Sequence, residues 1–453
     1  MKWHDLKLQL PLTMTVLLIG EFGEELWRTE GHYHARRFSY LLIFLLLFAV
    51  VNLKKKYLNS ENIFKLNFLK QIIFLVLVYW NYKIFRDPKV IYLEISWINY
   101  VFKYSSLLFC LIFSYFTMRP EKFLAKMGIP LFIIIFIFRI LTIYGSPNPL
   151  IDVFTSNTAA VKSLLNFVNP YTIHYVDIYK GGYDYQPGLA YWPGIFLWQA
   201  PSFILFKDIR VFFILSEILI LFGFLKLMKN LSIEKSLPIL ICLLWSFFPV
   251  QNFVLEQSWI DPGLMALTIW FCILLQEKKI YKSAIILGII VATKQYAVVT
   301  AIIFIPYLIR ALKIKRFISY VSLSLISFSI IILPFYLTAN KQFIQMTITG
   351  PSLQAFRVDS FNLLAIAWNN YQDINFLPLT WIMPLFFLII SFIFVIYKKD
   401  FKDTVLGLFI CYLGIFLFGK QAFCNYYFFL MIFLFIFFIF QLSRRDSQTL
   451  FEQ

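Results

Sequence analysis

Residues 425–442 read NYYFFLMIFLFIFFIFQL. They pass without a single charge, and a helix of this length extends about 27 Å at 1.5 Å per residue. The hydrocarbon core of a bilayer is about 30 Å thick, so the stretch reads as a membrane-spanning helix. Working back toward the N-terminus, comparable windows lie near 403–419, 376–397, 318–338, 283–309, 261–276, 236–251, 211–227, 186–206, 128–144, 97–117, 67–81 and 38–53. The chain is therefore expected to be an all-α polytopic membrane protein with about 11–13 transmembrane helices. Its composition agrees: 60% of the 453 residues are hydrophobic and 14% are charged, against about 25% charged in soluble domains. That deficit excludes an ordinary soluble enzyme.

Two windows are irregular. The segment 186–206 carries Pro187, Pro193 and Pro201 and either crosses or dips in and returns. The segment 283–309 is either one long span or two short ones broken near Lys294. Irregular backbone at membrane depth is tolerated only where it lines a protein-enclosed or wet cavity, so both point to one functional region. Residues 1–37 read as an amphipathic surface helix or a poor first span, with no cleavable signal peptide expected. Residues 1–127 read as N-terminal membrane helices that could form an accessory unit, and 128–453 as the core domain.

The net charge of +17 suggests nucleic acid only at first sight. Lys and Arg fall in short runs between apolar windows, as the positive-inside bias requires, and no nucleic-acid motif is present. The links 118–127, 277–282, 311–317, 398–402 and 443–446 are basic and are assigned to the cytoplasm. The segments 145–185, 251–260, 339–375 and 419–424 then face outside or into a lumen. The five Cys are scattered without paired spacing and read as inert buried thiols.

The longest polar interruption is Ile151–Gly194, IDVFTSNTAAVKSLLNFVNPYTIHYVDIYKGGYDYQPGLAYWPG. It reads as an outer loop with short helices that roofs an active site. Asp152 begins it and stands as either a base or a cap of the amphipathic stretch Thr155 to Phe167. Asp177, Asp184 and His174 read first as turn-forming or structural residues. Lys294, in mid-membrane, costs about 3 kcal/mol on insertion scales and needs a partner, a cavity or a snorkelling route. Glu256, Gln257 and Asp261 flank one outer link, Arg357 and Asp359 lie in another, and Lys420, Gln421, Asn425, Tyr426 and Tyr427 form the last outer turn. Carboxylates, cations and aromatics converging on one vestibule suit an anionic, sugar-bearing ligand.

The order of these pieces resembles the polyprenyl-phosphate-sugar-dependent membrane glycosyltransferases of the GT-C fold, closest to the mannosyltransferase-like family 87. Asp152, Asn169-Pro170-Tyr171 and Tyr185-Gln186-Pro187 match the family's first outer loop. SWIDPGLMAL (Ser258 to Leu267), ATKQYAVV with Pro306 downstream, LPFYLTANKQF leading to FRVDSFN, and KQAFCNYYFF resemble its later elements. The similarity covers roughly 128–442. It implies a hexosyltransferase that inverts the anomeric centre, with Asp152 as base and Lys294, Arg357 and Lys420 around the donor phosphate. Substrate contacts would come from Asn169, Tyr171, Asp184, Tyr185, Gln186, Trp192, Gln257, Asp261 and Gln421. The implied partners are a polyprenyl-phosphate-linked sugar, mannose by resemblance, and a glycolipid, glycan or protein acceptor, within a lipid bilayer. No DxD-type metal signature is present, so no cofactor is indicated. A transporter or lipid flippase, a glycan ligase or polymerase, and a non-catalytic assembly subunit are the rival readings.

Overall fold

The computed structural model describes residues 3–53, 63–118, 128–181, 188–234, 236–371 and 375–443. These residues fold as helices joined by short links, with no strand beyond one isolated bridge between His32 and Ser360. Eight helices among them are long and apolar enough to cross a membrane: Ala35–Asn52, Asn67–Arg86, Ser96–Thr117, Val211–Asn230, Ile314–Thr338, Leu379–Lys398, Phe401–Phe418 and Cys424–Leu442. Six shorter apolar helices account for most of the remaining windows. The protein is thus an all-α, multi-pass membrane protein.

In chain order, the first helices are α1 (Trp3–Thr29), α2 (Ala35–Leu53), α3 (Ile63–Arg86), α4 (Ser96–Thr117) and α5 (Gly128–Gly145). Helix α6 (Asp152–Leu165) follows in the polar loop, then α7 (Gly194–Phe206), α8 (Val211–Asn230), α9 (Leu237–Ser246), α10 (Gln251–Glu256) and α11 (Asp261–Gln276). Next come α12 (Ile280–Val291), α13 (Val298–Ala311) and α14 (Ile314–Thr338). The chain ends with the short α15 (Asn340–Ile344), α16 (Gly350–Leu353) and α17 (Leu363–Asn370), then α18 (Leu379–Lys398), α19 (Phe401–Phe418) and α20 (Cys424–Leu442).

Helix α20 is the axis of the bundle. It is 89% buried along its span, whereas α14 and α18 are 11% and 17% buried and face lipid. Its aromatic run packs edge-on or stacked against rings from several helices, including Phe435 on Phe224, Trp245 on Phe428 and Phe433 on Tyr412. In a bilayer these rings gain little by leaving lipid, so close packing and internal hydrogen bonds must hold the helices together. Helix α1 belongs to this core and is not a surface helix: Val16, Leu18, Ile19 and Phe22 are fully buried. Thr15 donates to Gln441 (2.9 Å) and Gln441 to Asn52 (2.6 Å), which ties α1, α20 and α2 together. Arg139 on α5 meets Glu217 on α8 (2.9 Å), Asn252 (2.5 Å) and the Ser246 carbonyl (2.7 Å). A charge at this depth persists only with partners of this kind.

Both irregular windows are now resolved. Helices α12 and α13 form a hairpin that enters and leaves by the same end. Glu277 before it pairs with Lys226 (2.9 Å) at the end of α8, and Arg310 after it donates to the Val395 carbonyl (3.1 Å) near the end of α18. The apex lies at Lys294. The described part of the other window, 188–206, begins and ends toward one end of the bundle. Gly194 donates to the Ala292 carbonyl at the hairpin apex (2.9 Å), while Arg210, just past α7, donates to the Ser146 carbonyl at the opposite side of the bundle from the basic links (2.7 Å).

Two glycines permit close approaches that fix this arrangement. Gly31 has φ +80°, and a Cβ there would lie 1.9 Å from the Cys424 nitrogen; its turn is stitched to the last outer turn through Phe361, whose N–H faces the carbonyls of Gly31 and Ala422 (3.0 Å each). Gly288 lets α12 lie against α14, with a Cβ there 2.3 Å from the Ser324 carbonyl oxygen. The serines reinforce the contact, Ser324 donating to Ala284 (2.9 Å) and Ser327 to Ile285 (3.0 Å). Small residues at such crossings let membrane helices touch. Gly288→Val should therefore destabilise the protein by about 1–3 kcal/mol, read as a lower thermal unfolding midpoint in detergent. An unchanged midpoint would mean that α12 and α14 are not packed this closely.

Candidate functional site

Helices α11, α12 and α20 meet below one end of the bundle, away from the basic links, and leave a cavity of 1430 Å³ above them. Its floor is set by a buried ion pair. Asp261 is fully buried at the first position of α11, where the helix dipole favours a carboxylate. Its Oδ1 accepts from Lys294 Nζ (3.0 Å) and the Tyr296 hydroxyl (2.5 Å), and its Oδ2 from Asn425 Nδ2 (3.0 Å). The Lys294 ammonium also lies over the rings of Tyr296 (4.7 Å), Tyr426 (4.9 Å) and Tyr191 (5.6 Å). A charge at membrane depth is thus matched by one carboxylate and a cage of aromatic faces.

The backbone at the apex is irregular, and a side chain holds it. Lys294 is extended (φ −151°, ψ 139°) and a 3-10 turn, Gln295–Ala297, follows. The Gln295 amide donates to the carbonyls of Ala190 and Thr347 (2.6 Å each). It therefore joins the hairpin apex to the polar loop and to a π-helical stretch, Gln345–Thr349. Such widened turns are rare and gather at functional sites. The whole run from Gln345 to Gln354 lines the cavity on that side.

Asp152 also lines the cavity. It opens α6, half-buried, with Oδ1 accepting from the Val153 N–H (2.8 Å) and the Tyr179 hydroxyl (3.4 Å). The N-cap position falls to Ile151, which makes no side-chain capping bond, so Asp152 is the first residue of the helix and not its cap. Asp177 serves the turn beneath it, accepting from Tyr179 N–H (2.9 Å) and Gly181 N–H (2.6 Å). Arg357 lines the rim and forks onto Asp359 through two bonds, 2.8 and 2.7 Å. Partial burial works against ionisation of Asp359, but the two Arg357 bonds and its charge outweigh this and hold the carboxyl below the usual value of 3.8. The fork contributes stability above that value and loses it as pH falls further. At neutral pH an incoming anion must compete with Asp359 for Arg357. The Tyr426 hydroxyl lies within electrostatic reach of Asp261, Arg357 and Asp152 together.

Of the residues singled out from sequence, Asp152, Lys294, Arg357, Trp192, Gln257 and Gln421 line this one cavity. Four do not. Lys420 is turned to the carbonyls of Ser352 (2.5 Å) and Gln354 (3.2 Å), where it ties the last outer turn to the π-helical wall. Asn169 donates to Phe335 O (3.0 Å) and Thr338 (2.7 Å) and so anchors the loop to α14. Tyr171 is fully buried with its hydroxyl on the Tyr191 carbonyl (2.6 Å), a packing residue beneath the loop. Asp261 is sealed behind Lys294 and touches no open space. Asp184, Tyr185 and Gln186 lie outside the described residues. Glu256 is a clamp, accepting from Ile91 N–H, Tyr92 N–H and Ser146.

Sequence reasoning missed Tyr191, Tyr296, Gln295 and the Gln345–Gln354 wall. Tyr296, two positions after Lys294, was the one readable signal, since a buried ammonium favours aromatic neighbours. No protein-family model, no curated protein and no solved structure matches this chain.

Removing Asp261 leaves an uncompensated ammonium. Asp261→Ala should cost about 3–5 kcal/mol, seen as a large fall in the unfolding midpoint. Asp261→Leu combined with Lys294→Met should recover part of that loss. Equal midpoints for the single and double variants would show that the pair is not coupled.

Proposed function

We propose that this protein is an inverting glycosyltransferase of the GT-C type, which moves a monosaccharide from a polyprenyl-phosphate donor to an acceptor on the outer or lumenal face. The observation that carries this reading is that Asp152, Lys294 and Arg357, distant in sequence, line a single cavity. Its position at the end opposite the basic links 277–282, 311–317 and 398–402 supports the outward orientation by the positive-inside rule. The resemblance of residues 128–442 to family 87 makes mannose the first sugar to test.

The chemistry follows from these groups. An acceptor hydroxyl gives its proton to the Asp152 carboxylate as its oxygen bonds to the anomeric carbon. The bond from that carbon to the phosphate oxygen breaks on the opposite face, so the configuration inverts. The leaving phosphate departs ionised and needs no acid, unlike the leaving group in glycoside hydrolysis. It gains negative charge, which fixed donors stabilise. An ammonium carries three N–H donors, and Lys294 gives one to Asp261. Arg357 would exchange part of its fork with Asp359 for the phosphate. Lys420 gives two of its three donors to the carbonyls of Ser352 and Gln354 and would act second to Lys294 and Arg357.

A second reading, a lipid or sugar transporter, draws on the hairpin with a charged apex. Broken helices and helix ends at a central site are also transporter features. Asp152→Asn separates the two. The amide can still accept the Val153 N–H, so the fold should persist, while loss of a general base should lower turnover about 10²–10⁴-fold. The assay is transfer from polyprenyl-phosphate mannose in reconstituted vesicles, alongside mass spectrometry of lipid-linked sugars in a strain lacking the protein. Donor should accumulate in that strain and be cleared by wild type but not by Asp152→Asn. Full complementation by the variant, or sugar uptake with no glycosyl product, would refute the transferase reading.

A further inference from the structure

The cavity has a volume of 1430 Å³, and besides Asp152 and Lys294 it is lined by a run, Gln342 to Gln354, of different chemistry. This wall presents Gln342, Gln345 and Gln354 with Thr349 and Ser352 between them, and carries no charged residue into the space. Primary amides and hydroxyls both donate and accept, which matches the alternating donor and acceptor character of vicinal hydroxyls.

The aromatic side agrees. Tyr191, Trp192 and Trp259 line the same space. Flat rings beside amide and hydroxyl groups are what the faces and edges of sugar rings require.

Other acceptor classes fit less well. An anionic head group would compete with the donor phosphate for Lys294 and Arg357, the cations that line the space, and the Gln342–Gln354 wall offers it none. An extended peptide needs a strand edge or a ladder of backbone groups, and the described residues offer only one isolated bridge. We infer that the wall from Gln342 to Gln354 binds the acceptor, and that the acceptor is a neutral oligosaccharide of several sugar units.

This rests on the transferase reading above for the word acceptor, but not for the binding itself, which needs neither donor nor turnover. The test uses full-length protein in nanodiscs and an array of neutral manno-, gluco-, galacto- and rhamno-oligosaccharides of two to six units. Acidic peptides and anionic lipid head groups serve as comparison probes, and binding is read by saturation-transfer NMR and tryptophan fluorescence. At least one neutral series should bind, more tightly as the chain lengthens. Gln342→Ala with Gln345→Ala, both exposed positions, should weaken that binding at least tenfold and leave the unfolding midpoint unchanged. Binding of no neutral series, preference for peptides or anionic head groups, or indifference to the double variant would overturn the inference. Each of those results is compatible with intact donor turnover. Conversely, glycan binding in a protein that never turns donor over would overturn the transferase and leave the glycan site standing.

Discussion

One ion pair organises this molecule: Lys294 at the tip of a helical hairpin and Asp261 at the start of the helix beside it. Neither charge is tolerable alone at that depth. Together, with Tyr296 and Asn425 filling the remaining oxygen positions, they fix the height of the hairpin apex. The apex then sets the floor of the cavity. It also gives α7 a backbone carbonyl to bond and the π-helical wall a side chain, Gln295, to bind. Helix α11 has 16 residues and rises about 24 Å, which puts the floor one helix length from the basic link 277–282.

The two ends of the bundle differ in kind. One carries short basic links and the close of a hairpin. The other carries nearly every irregular element: α6, α7, the π-helical turn, and the outer turns around Gly31 and Gly419. Membrane burial forbids unsatisfied backbone, so irregularity concentrates where side chains and open polar space can satisfy it.

Much of this was readable beforehand. The spans at 38–53, 97–117, 261–276 and 425–442 stand within a few residues of the helices found, because long apolar runs with at most one charge have one solution in lipid. The cost of a lone Lys294 called for a partner, a cavity or a snorkelling route, and the break there left one long span or two short ones. The choice was not readable: the largely apolar 283–309 gives no sign that its second half turns back. That depends on Gly288, Ser324 and Ser327 bringing α12 against α14, a contact between segments some forty residues apart. For the same reason Asp261 reads in sequence as a ligand contact and folds as the buried partner of Lys294. Tyr171 and Asn169 behave likewise: polar atoms in a loop look available until packing assigns them to Tyr191 and α14. The role of α1 was hidden because Glu21, Glu24 and Glu25 lower its apparent hydropathy, although Glu24 is paired with Lys83 and Arg28.

The central claim is that one chamber brings the carboxylate of Asp152 and the ammonium of Lys294 to the same ligand. A cryo-electron microscopy map of the protein bound to a polyprenyl phosphate measures this directly. The account predicts a phosphate within hydrogen-bond distance of Lys294 Nζ, no more than one water layer from Asp152, with the isoprenoid tail leaving the cavity toward lipid. A head group found elsewhere on the bundle, or one separated from both residues by more than a water layer, would contradict it.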